Sequence, residues 1–306
     1  MKKKRLYSTL CAWLFSALAI GGNISAVPLM PDNALTAGAY LFGTGEGTCG
    51  ENASWTLDGN GRLTISGTGA IEVLSYPDSN WTSYANSIRE VVIEQGITEI
   101  GSCSFLSCPE LLSVSIPDGV TIIGNGAFVG CKKLTALTIP ASVTTLQRSF
   151  AYETGIQSIT VDPENPVYCS ADGVVFSKDM TTLVCVPDGY AADEYTIPDS
   201  VTEIGIDAFY SCLRLNTVII PDSVKKICDS AFQECKSLNT VSIPDSVTSI
   251  GESAFSGCDA LTGITIPASV TSLGKSFANY TPLCSITVDP ENPVYCSVDA
   301  SCSAGI

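Results

Sequence analysis

The sequence contains no histidine, and lysine and arginine together supply only 15 of its 306 residues. Histidine is the most frequent general acid–base group of enzymes, and the chain also has no Gly-x-Ser-x-Gly motif and no phosphate-binding loop. The 31 aspartates and glutamates bring the net charge to −16, which repels nucleic acids and anionic membrane surfaces. These absences predict a protein that is not an enzyme and has no nucleic-acid partner.

The usual metal-ligand patterns are missing as well. The 14 cysteines include no Cys-x-x-Cys pair, and without histidine zinc lacks its common ligand spacing. Asp162 and Glu164, repeated as Asp289 and Glu291, resemble part of a calcium site, but each loop offers too few oxygen ligands. The Asp-Pro-Glu-Asn-Pro context is more typical of a rigid turn. We therefore expect neither a metal nor a cofactor.

No long hydrophobic run suits a membrane-spanning helix. Residues 10–20 are apolar but too few to cross a bilayer, and they follow the basic segment 2–5. This order is typical of a secretory signal peptide. We predict a signal peptide and leader over residues 1–39, cleaved after Ala26 or Ala39, with no transmembrane segment in the mature chain. The protein would then be secreted or displayed at the extracellular cell surface; an uncleaved membrane anchor is the alternative.

The sequence does contain six copies of an Ile-Pro-x-x-Val pentapeptide. The copies begin at Ile116, Ile139, Ile197, Ile220, Ile243 and Ile266. They follow one another at a constant 23-residue step, which a single longer interval interrupts between the second copy and the third. A constant step of this size is characteristic of a solenoid, in which similar coils stack around one shared core.

The unit around Val241 shows how one coil would be built. Val241 and Ile243 alternate with polar residues, as in a strand with one buried face, and the following proline ends that strand. A second short extended piece follows, and residues 253–258 are predicted to form a helical turn that buries Phe255. Stacked coils would pair these strands in parallel. We predict a mainly β repeat solenoid over residues 88–296, with parallel strands and short helical turns.

Two further segments interrupt or precede the coils. The longer interval exceeds one coil by the length of residues 162–196, and the apolar runs of that segment predict an inserted β-hairpin. Alternating residues on both sides of a turn at 58–61 predict a β-hairpin cap over residues 43–87.

A longer repeat lies over the short one. Residues 139–170 match residues 266–297 at 24 of 32 positions, which indicates a duplicated block. The match stops after Ser297. We therefore expect a frayed, truncated tail over residues 297–306, and a chain that is a truncated product or a fragment.

The 23-residue unit resembles the BspA-like leucine-rich repeat family of bacterial surface proteins. The cap sequence TCGENASWTLDGNGRLTISGTGAIEVL and the insert sequence VDPENPVYCSADGVVFSKDMTTLVCVP are similar to modules found with these repeats, so the resemblance covers about residues 45–297. It implies a leucine-rich-repeat stack, secretion or surface display and, in some members, adhesion to host or bacterial proteins.

One cysteine column recurs three residues after a core phenylalanine, at Cys108, Cys131, Cys212, Cys235 and Cys258. We expect buried thiols that pack as small hydrophobic groups, with Glu153 and Tyr280 in their place in the terminal coils. Disulfides between neighbouring coils are the alternative. Cys169 and Cys185 flank the predicted hairpin and are the best candidates for a disulfide.

The outward-facing strand residues form the most plausible functional surface. They are small, rich in hydroxyl groups and nearly uncharged, although serine and threonine also suit a solvated strand that has no ligand. The candidate ligand-contact residues are Ser113, Ser115, Thr138, Thr217, Ile219, Thr240, Ser242 and Thr265. We expect a non-catalytic binding or adhesion protein with a protein or glycan ligand. The alternatives are a structural display stalk and a glycan-active enzyme.

Overall fold

The structure, a computed structural model, describes residues 43–72 and 80–296. The predicted leader at residues 1–39 and the predicted tail at residues 297–306 lie outside the described residues.

Three antiparallel strands form the N-terminal cap: β1 (Gly45–Thr48), β2 (Asn52–Leu57) and β3 (Arg62–Ile71). Side chains along β2 and β3 alternate between the core, where Trp55 and Ile65 are buried, and the solvent side, where Ser54 and Thr56 are exposed. Asp58 stabilises the turn between these strands, because its carboxylate accepts the backbone N–H groups of Asn60 and Arg62, each at 2.9 Å.

The long strand β3 pairs with the first coil on two of its sides. Residues 62–65 pair in parallel with β4 (Glu90–Ile93), and residues 69–71 pair with β5 (Ile97–Ile100). Between them Gly67 has a φ of 105°, and a Cβ there would lie 2.1 Å from the backbone oxygen of Asn52. Only glycine fits this bend. A short 3-10 helix, Thr82–Ser87, precedes β4.

Most of the described coils then contribute two short strands, and two of them contribute only the first. The first strands, which continue from β4, are β6 (Ser113–Ser115), β8 (Ala136–Ile139), β10 (Ser158–Val161), β14 (Glu194–Thr196), β16 (Thr217–Ile219), β18 (Thr240–Ser242), β20 (Gly263–Ile266) and β22 (Ser285–Val288). The second strands, which continue from β5, are β7 (Ile122–Ile123), β9 (Thr145–Leu146), β15 (Glu203–Ile204), β17 (Lys226–Ile227), β19 (Ser249–Ile250) and β21 (Ser272–Leu273). The predicted solenoid of parallel strands is confirmed.

The third side of the coil differs from the prediction, because residues 253–258 form turns rather than a helical turn. Ser253 and Gly257 both have left-handed backbone angles, with φ of 55° and 70°, and a helix cannot run through them. On this side of the coil, backbone groups form hydrogen bonds between neighbouring coils instead. For example, the Phe232 N–H of one coil donates to the oxygen of Ala254 in the next coil at 2.7 Å.

Aromatic rings stack along the core, one from each of two coils before the insert and three coils after it. Phe105 and Phe128 are 5.5 Å apart between ring centroids, and Phe209, Phe232 and Phe255 follow at 4.8 and 5.1 Å. Trp81 extends the first stack, 5.4 Å from Phe105. All of these rings are fully buried, so each of these coils contributes a large apolar side chain to the core.

An antiparallel meander divides this core into two. It consists of β11 (Tyr168–Ala171), β12 (Val174–Ser177) and β13 (Thr182–Cys185), and β13 pairs in parallel with β15. Along β12, Val175 packs into one hydrophobic cluster, whereas Val174 and Phe176 pack into the other. We call residues 43–170 the first block, residues 194–296 the second block and residues 171–193 the connecting segment.

Candidate ligand-binding face

The outward side chains of the first strands form a regular surface, which we call the hydroxyl face. Parallel pairing places Thr217 beside Thr240 and Ile219 beside Ser242. Because adjacent strands lie about 4.8 Å apart, equivalent side chains recur at that spacing. All eight residues predicted to contact a ligand lie on this face, and all are exposed except Thr217, which is half-buried: Ser113, Ser115, Thr138, Thr217, Ile219, Thr240, Ser242 and Thr265.

The structure adds one strand that the predicted columns omitted. Glu194 and Thr196 of β14 pair with Thr217 and Ile219, so they begin the hydroxyl face of the second block. One further repeat step back from Thr217 would have identified them. Glu194 also brings a negative charge to a surface that otherwise carries few.

The cap extends the hydroxyl face beyond the coils. Thr64 of β3 pairs with Val92 on one side and with Thr56 on the other. Next to them, the hydroxyl oxygens of Ser54 and Ser66 are 3.2 Å apart. The alternation along the cap strands was the sequence signal for this extension, which the repeat columns alone did not reveal.

Interruptions in strand pairing divide the face into segments. Within the described strands, β6 pairs with β4 but not with β8, and β18 pairs with β16 but not with β20. The connecting segment separates β10 from β14. A ligand that needs an unbroken sheet would therefore contact at most the strands of one such segment.

The hydroxyl groups of the face differ from the other hydroxyl groups of the repeat in their hydrogen bonding. Thr121 and Thr248, on the second strands' side, each donate to a backbone oxygen of the preceding coil at 3.1 Å. The pentapeptide serines Ser142, Ser246 and Ser269 do the same at 2.7 Å. In contrast, the hydroxyl groups of Ser115, Thr138, Thr217, Ser242 and Thr265 make no hydrogen bond to any described residue.

Charge on the molecule is distributed unevenly around the coil. The acidic turn residues are exposed and stack along one edge, at Asp118, Asp199, Asp222 and Asp245. The hydroxyl face has its main cluster of charges at the cap, where a groove of about 360 Å³ contains Arg62 and Glu90, 3.8 Å apart. Such an exposed ion pair contributes little stability. Apart from Glu194, the rest of the face offers mainly neutral hydrogen-bonding groups.

The cysteine column is buried, and its thiol groups have a regular partner. Cys131, Cys235 and Cys258 donate to the backbone oxygen of the phenylalanine 26 residues earlier, at 3.2, 2.9 and 3.2 Å. Burial raises the pKa of Cys131 and of Cys258 to about 12. These thiols are therefore protonated and unreactive at neutral pH.

The terminal coils contain a different residue in this column from the one predicted. Thr281 lies one repeat step after Cys258, and its hydroxyl donates to Phe255 at 2.6 Å in the same way as the thiols. Tyr280 is 83% exposed, and Glu153 is also exposed. Tyr280 lies three residues after Phe277, just as Cys258 lies three residues after Phe255. However, Phe277 is one repeat step after Ala254 rather than after Phe255, so Tyr280 is not the residue equivalent to Cys258.

The structure does not bring the predicted disulfide partners together. Cys169 pairs with Phe176 across β11 and β12, whereas Cys185 pairs with Val175 across β12 and β13. Cys169 therefore packs against the second core and Cys185 against the first, on opposite faces of the meander. Both remain thiols, and burial raises the pKa of each. A central strand between them makes the bridging distance too long.

The acidic loops form turns. The Asp162 carboxylate accepts the Glu164 N–H at 2.8 Å, and Asp289 accepts the Glu291 N–H at the same distance. Within residues 43–72 and 80–296, no cluster of three or more Cys, Asp or Glu is arranged to hold a metal ion.

A second groove, of about 190 Å³, lies where the first block meets the connecting segment. Beside it the Asp188 carboxylate accepts the backbone N–H and the hydroxyl of Thr154, at 2.7 and 2.6 Å. Burial raises the pKa of Asp188 to about 6. Asp207 accepts the Ser149 hydroxyl at 3.0 Å, and burial raises its pKa too. These carboxylates fasten the connecting segment and the second block to the first, and the repeat pattern did not predict them.

The described helix is too short and too polar to cross a membrane.

Comparison with known proteins supports this architecture. The family model of the BspA type leucine rich repeat region matches residues 79–173 and 189–295, with six copies of the repeat. No curated protein matches the chain.

Several solved structures are similar to this one. PcpA, described as a pneumococcal vaccine antigen, has a TM-score of 0.59 and 19% identity over 82% of each chain. A leucine-rich repeat protein from Eubacterium ventriosum has a TM-score of 0.50 and 22% identity over 81% of this chain and 92% of its own. A leucine rich cell surface protein from Faecalibacterium prausnitzii has a TM-score of 0.48 and 22% identity over 78% of this chain and 94% of its own. At these identities the first two show the fold alone.

Proposed function

Because the chain belongs to the BspA-type leucine-rich repeat family, we propose that it is a secreted or cell-surface protein that binds a protein or glycan through the hydroxyl face. The binding is non-catalytic, and its purpose is adhesion. The proposal includes the signal peptide and excludes nucleic acid as a partner, since the chain carries a net charge of −16.

One observation carries the choice of surface: most of the hydroxyl groups predicted to contact a ligand are not used by the fold, although Thr240 donates to the side chain of Asn239 at 2.9 Å. Elsewhere on the coil, as at Thr121 and Ser142, the hydroxyl donates to the preceding coil. On the hydroxyl face Thr138, Thr217 and Ser242 have no such described partner. Each hydroxyl can both donate and accept a hydrogen bond, which suits sugar hydroxyls and exposed peptide groups alike.

The regular spacing favours a ligand that is itself extended. In-register pairs such as Thr217 with Thr240 repeat a similar contact on adjacent coils within one segment of the face. Small side chains lose little conformational entropy when a ligand orders them, and several weak contacts along one surface add to a useful affinity. The exposed Ile219, at 45%, supplies an apolar contact within the array.

The absence of catalysis is supported by how the acidic residues are used. The Asp162 carboxylate is held in its own turn by the Glu164 amide. Asp188 and Asp207 hold the first block through Thr154 and Ser149. These carboxylates have structural partners, whereas the paired carboxylates of a glycosidase are available to act on the bond between them.

A binding array of gut matrix proteins and glycans tests the proposal. The triple variant Thr217→Lys, Thr240→Lys, Ser242→Lys places three long cations on the face and should abolish saturable binding. The matched control is Thr145→Lys, Ser249→Lys, Ser272→Lys, which adds the same charge to the second strands' surface and should keep the wild-type affinity.

Three outcomes separate the alternatives. Loss of binding only in the first variant supports the hydroxyl face. Equal loss in both variants would assign the effect to charge rather than to this surface. No binding to any array member would favour a display stalk, and release of cleaved sugar products would favour a glycan-active enzyme.

A further inference from the structure

A row of backbone amides beside the second groove lacks the partner that its counterparts have. In five other coils of the described chain, three alternate N–H groups on the third side donate to oxygens of the next coil. The row just before the groove is formed by Gly126, Phe128 and Gly130, which donate at 3.3, 2.8 and 3.2 Å. One repeat step later the same positions are Ser149, Ala151 and Glu153, and none of their N–H groups donates to a described residue.

This open amide row keeps the backbone conformation of the paired rows. Ser149 and Glu153 are left-handed, with φ of 48° and 52°, as are Gly126 and Gly130, with φ of 63° and 77°. The N–H groups of the open row therefore point along the stack towards the second block. Ala151, between them, is only 8% exposed, and a buried amide without a partner is costly.

The connecting segment leaves the row open because it has no third side of its own. The Val186 N–H still donates to the oxygen of Ala208 in the second block at 2.7 Å. The chain then turns, and the Tyr190 N–H donates back to the oxygen of Pro187 at 3.0 Å. The described part of the segment therefore supplies no main-chain acceptor to the open amide row.

The opposite wall of the groove presents acceptors. The backbone oxygens of Ile206 and Tyr210 accept no hydrogen bond from a described residue. Their counterparts one repeat step later, Asp229 and Gln233, accept from the coil before at 3.2 and 2.9 Å. Unused donors on the first block thus face unused acceptors on the second.

The space between these walls suits a small neutral ligand. Its volume of about 190 Å³ equals that of about six water molecules in the liquid. Val184 and the rings of Tyr152 and Tyr210 line it, and the two rings are 5.0 Å apart between centroids. The Asp207 carboxylate, which accepts the Ser149 hydroxyl, repels an anionic ligand. The groove therefore favours neutral acceptor and donor groups on a chain with small side chains.

We infer that this groove binds an extended peptide segment with small side chains, whose main chain takes the place of the missing third side. Its carbonyl oxygens accept from Ser149 and Ala151, and its N–H groups donate to the oxygens of Ile206 and Tyr210. A polypeptide is the matching occupant because main-chain carbonyls fill this row of donors in the five paired coils. It also carries donors and acceptors on opposite edges, which is the basis of strand addition. The site lies on the third side of the coil, apart from the hydroxyl face.

The test uses the full chain and an acetylated, amidated Gly-Ala-Gly-Ala-Gly peptide, with amide hydrogen exchange followed by NMR. Without peptide, the Ser149 and Ala151 amides should exchange at least about tenfold faster than the bonded Phe128 amide. We expect a Kd of about 1 mM, so about 10 mM peptide should slow both amides by about tenfold. The Phe128 amide should not respond.

Two variants locate the effect. Ile206→Arg places a long cation in the groove and should remove the protection of Ser149 and Ala151. Ile219→Arg is the matched control, because Ile219 is 45% exposed and Ile206 is 42% exposed, but Ile219 lies on the hydroxyl face. The control should keep the protection.

Unchanged exchange of Ser149 and Ala151 at that peptide concentration would overturn the inference, as would equal protection in the Ile206→Arg chain. Exchange of these two amides as slow as that of Phe128 without peptide would also overturn it, because the groove would then be filled by the chain itself. Protection by N-acetylglucosamine but not by the peptide would overturn it by assigning the groove to a sugar amide.

Discussion

The two block ends share one sequence but not one environment. Ile159 is 0% exposed and Ile286 is 41% exposed, although each lies in the same Ser-Ile-Thr-Val strand. The difference comes from β12, which covers the first end. A solenoid coil cannot bury its own apolar side chains, so the burial of each strand depends on the next element in the stack. Matched substitutions at the two ends can therefore measure what that cover contributes.

The largest difference is expected between Ile159→Asp and Ile286→Asp. At Ile159 the substitution buries an unpaired carboxylate and should lower the free energy of unfolding by about 4 kcal/mol or more. At Ile286 solvent reaches the new side chain, and the loss should stay within about 1 kcal/mol. Urea unfolding of both variants makes the comparison, and similar losses would show that β12 does not seal the first end.

A smaller difference is expected between Asn165→Ala and Asn292→Ala. Asn165 is 0% exposed and also accepts the N–H groups of Val167 and Tyr168, at 2.9 and 2.8 Å. Its removal leaves buried donors and acceptors unpaired, at a cost of about 3 kcal/mol. Water can reach the half-buried site of Asn292, where we expect about 1 kcal/mol. Thermal unfolding compares the pair, and an equal shift in Tm would contradict the difference in solvent access.

The junction between the blocks should respond to pH through Asp188. Burial raises its pKa from 3.8 to about 6, so the folded state holds this proton more tightly than the unfolded chain does. Stability from this group is thus complete below about pH 4 and is lost as the pH rises through 6, by about 2–3 kcal/mol. Asp188→Asn should remove that part of the pH dependence.

Asp199→Asn is the control for this prediction, because Asp199 is an exposed turn residue of the second block. The control should keep the wild-type slope of unfolding free energy between pH 4 and 6. Parallel profiles for the wild type and Asp188→Asn would show that Asp188 is not responsible.

The smallest expected effect concerns the cysteine column. Thr281 shows that a hydroxyl can replace the thiol, since it donates to Phe255 as Cys258 donates to Phe232. Cys258→Thr should therefore keep the bond, whereas Cys258→Val, with nearly the same shape, should lose about 1 kcal/mol more. Equal stabilities in chemical unfolding would mean that the thiol acts by packing alone.

The repeat spacing predicted the architecture because every coil obeys the same packing rule. Val241 and Ile243 mark a strand by alternation, and the constant repeat step places the strands in parallel register. The same spacing identified the hydroxyl face. The predicted insert, residues 162–196, included Glu194 and Thr196, so the predicted face omitted these two residues although they pair with Thr217 and Ile219.

The remaining differences arise where contacts between coils override local preference. Residues 253–258 look helical alone, but left-handed residues and amide bonds to the next coil keep them as turns. Cys169 and Cys185 flank a hairpin in sequence, yet they pair with Phe176 and Val175, whose side chains point to opposite cores. The run Val174, Val175 and Phe176 lacks alternation, which is the sequence mark of a strand buried on both faces.

Amide hydrogen exchange at Ile159 and Ile286 tests most directly the claim that the element covering a strand, rather than the strand's own sequence, decides its stability. The Ile159 amide is bonded to Gly173 beneath the meander and should exchange only with unfolding of the first block. The Ile286 amide should exchange at least about a hundredfold faster. Equal protection of the two amides would contradict the claim, because it would mean that the shared sequence protects its strand without β12.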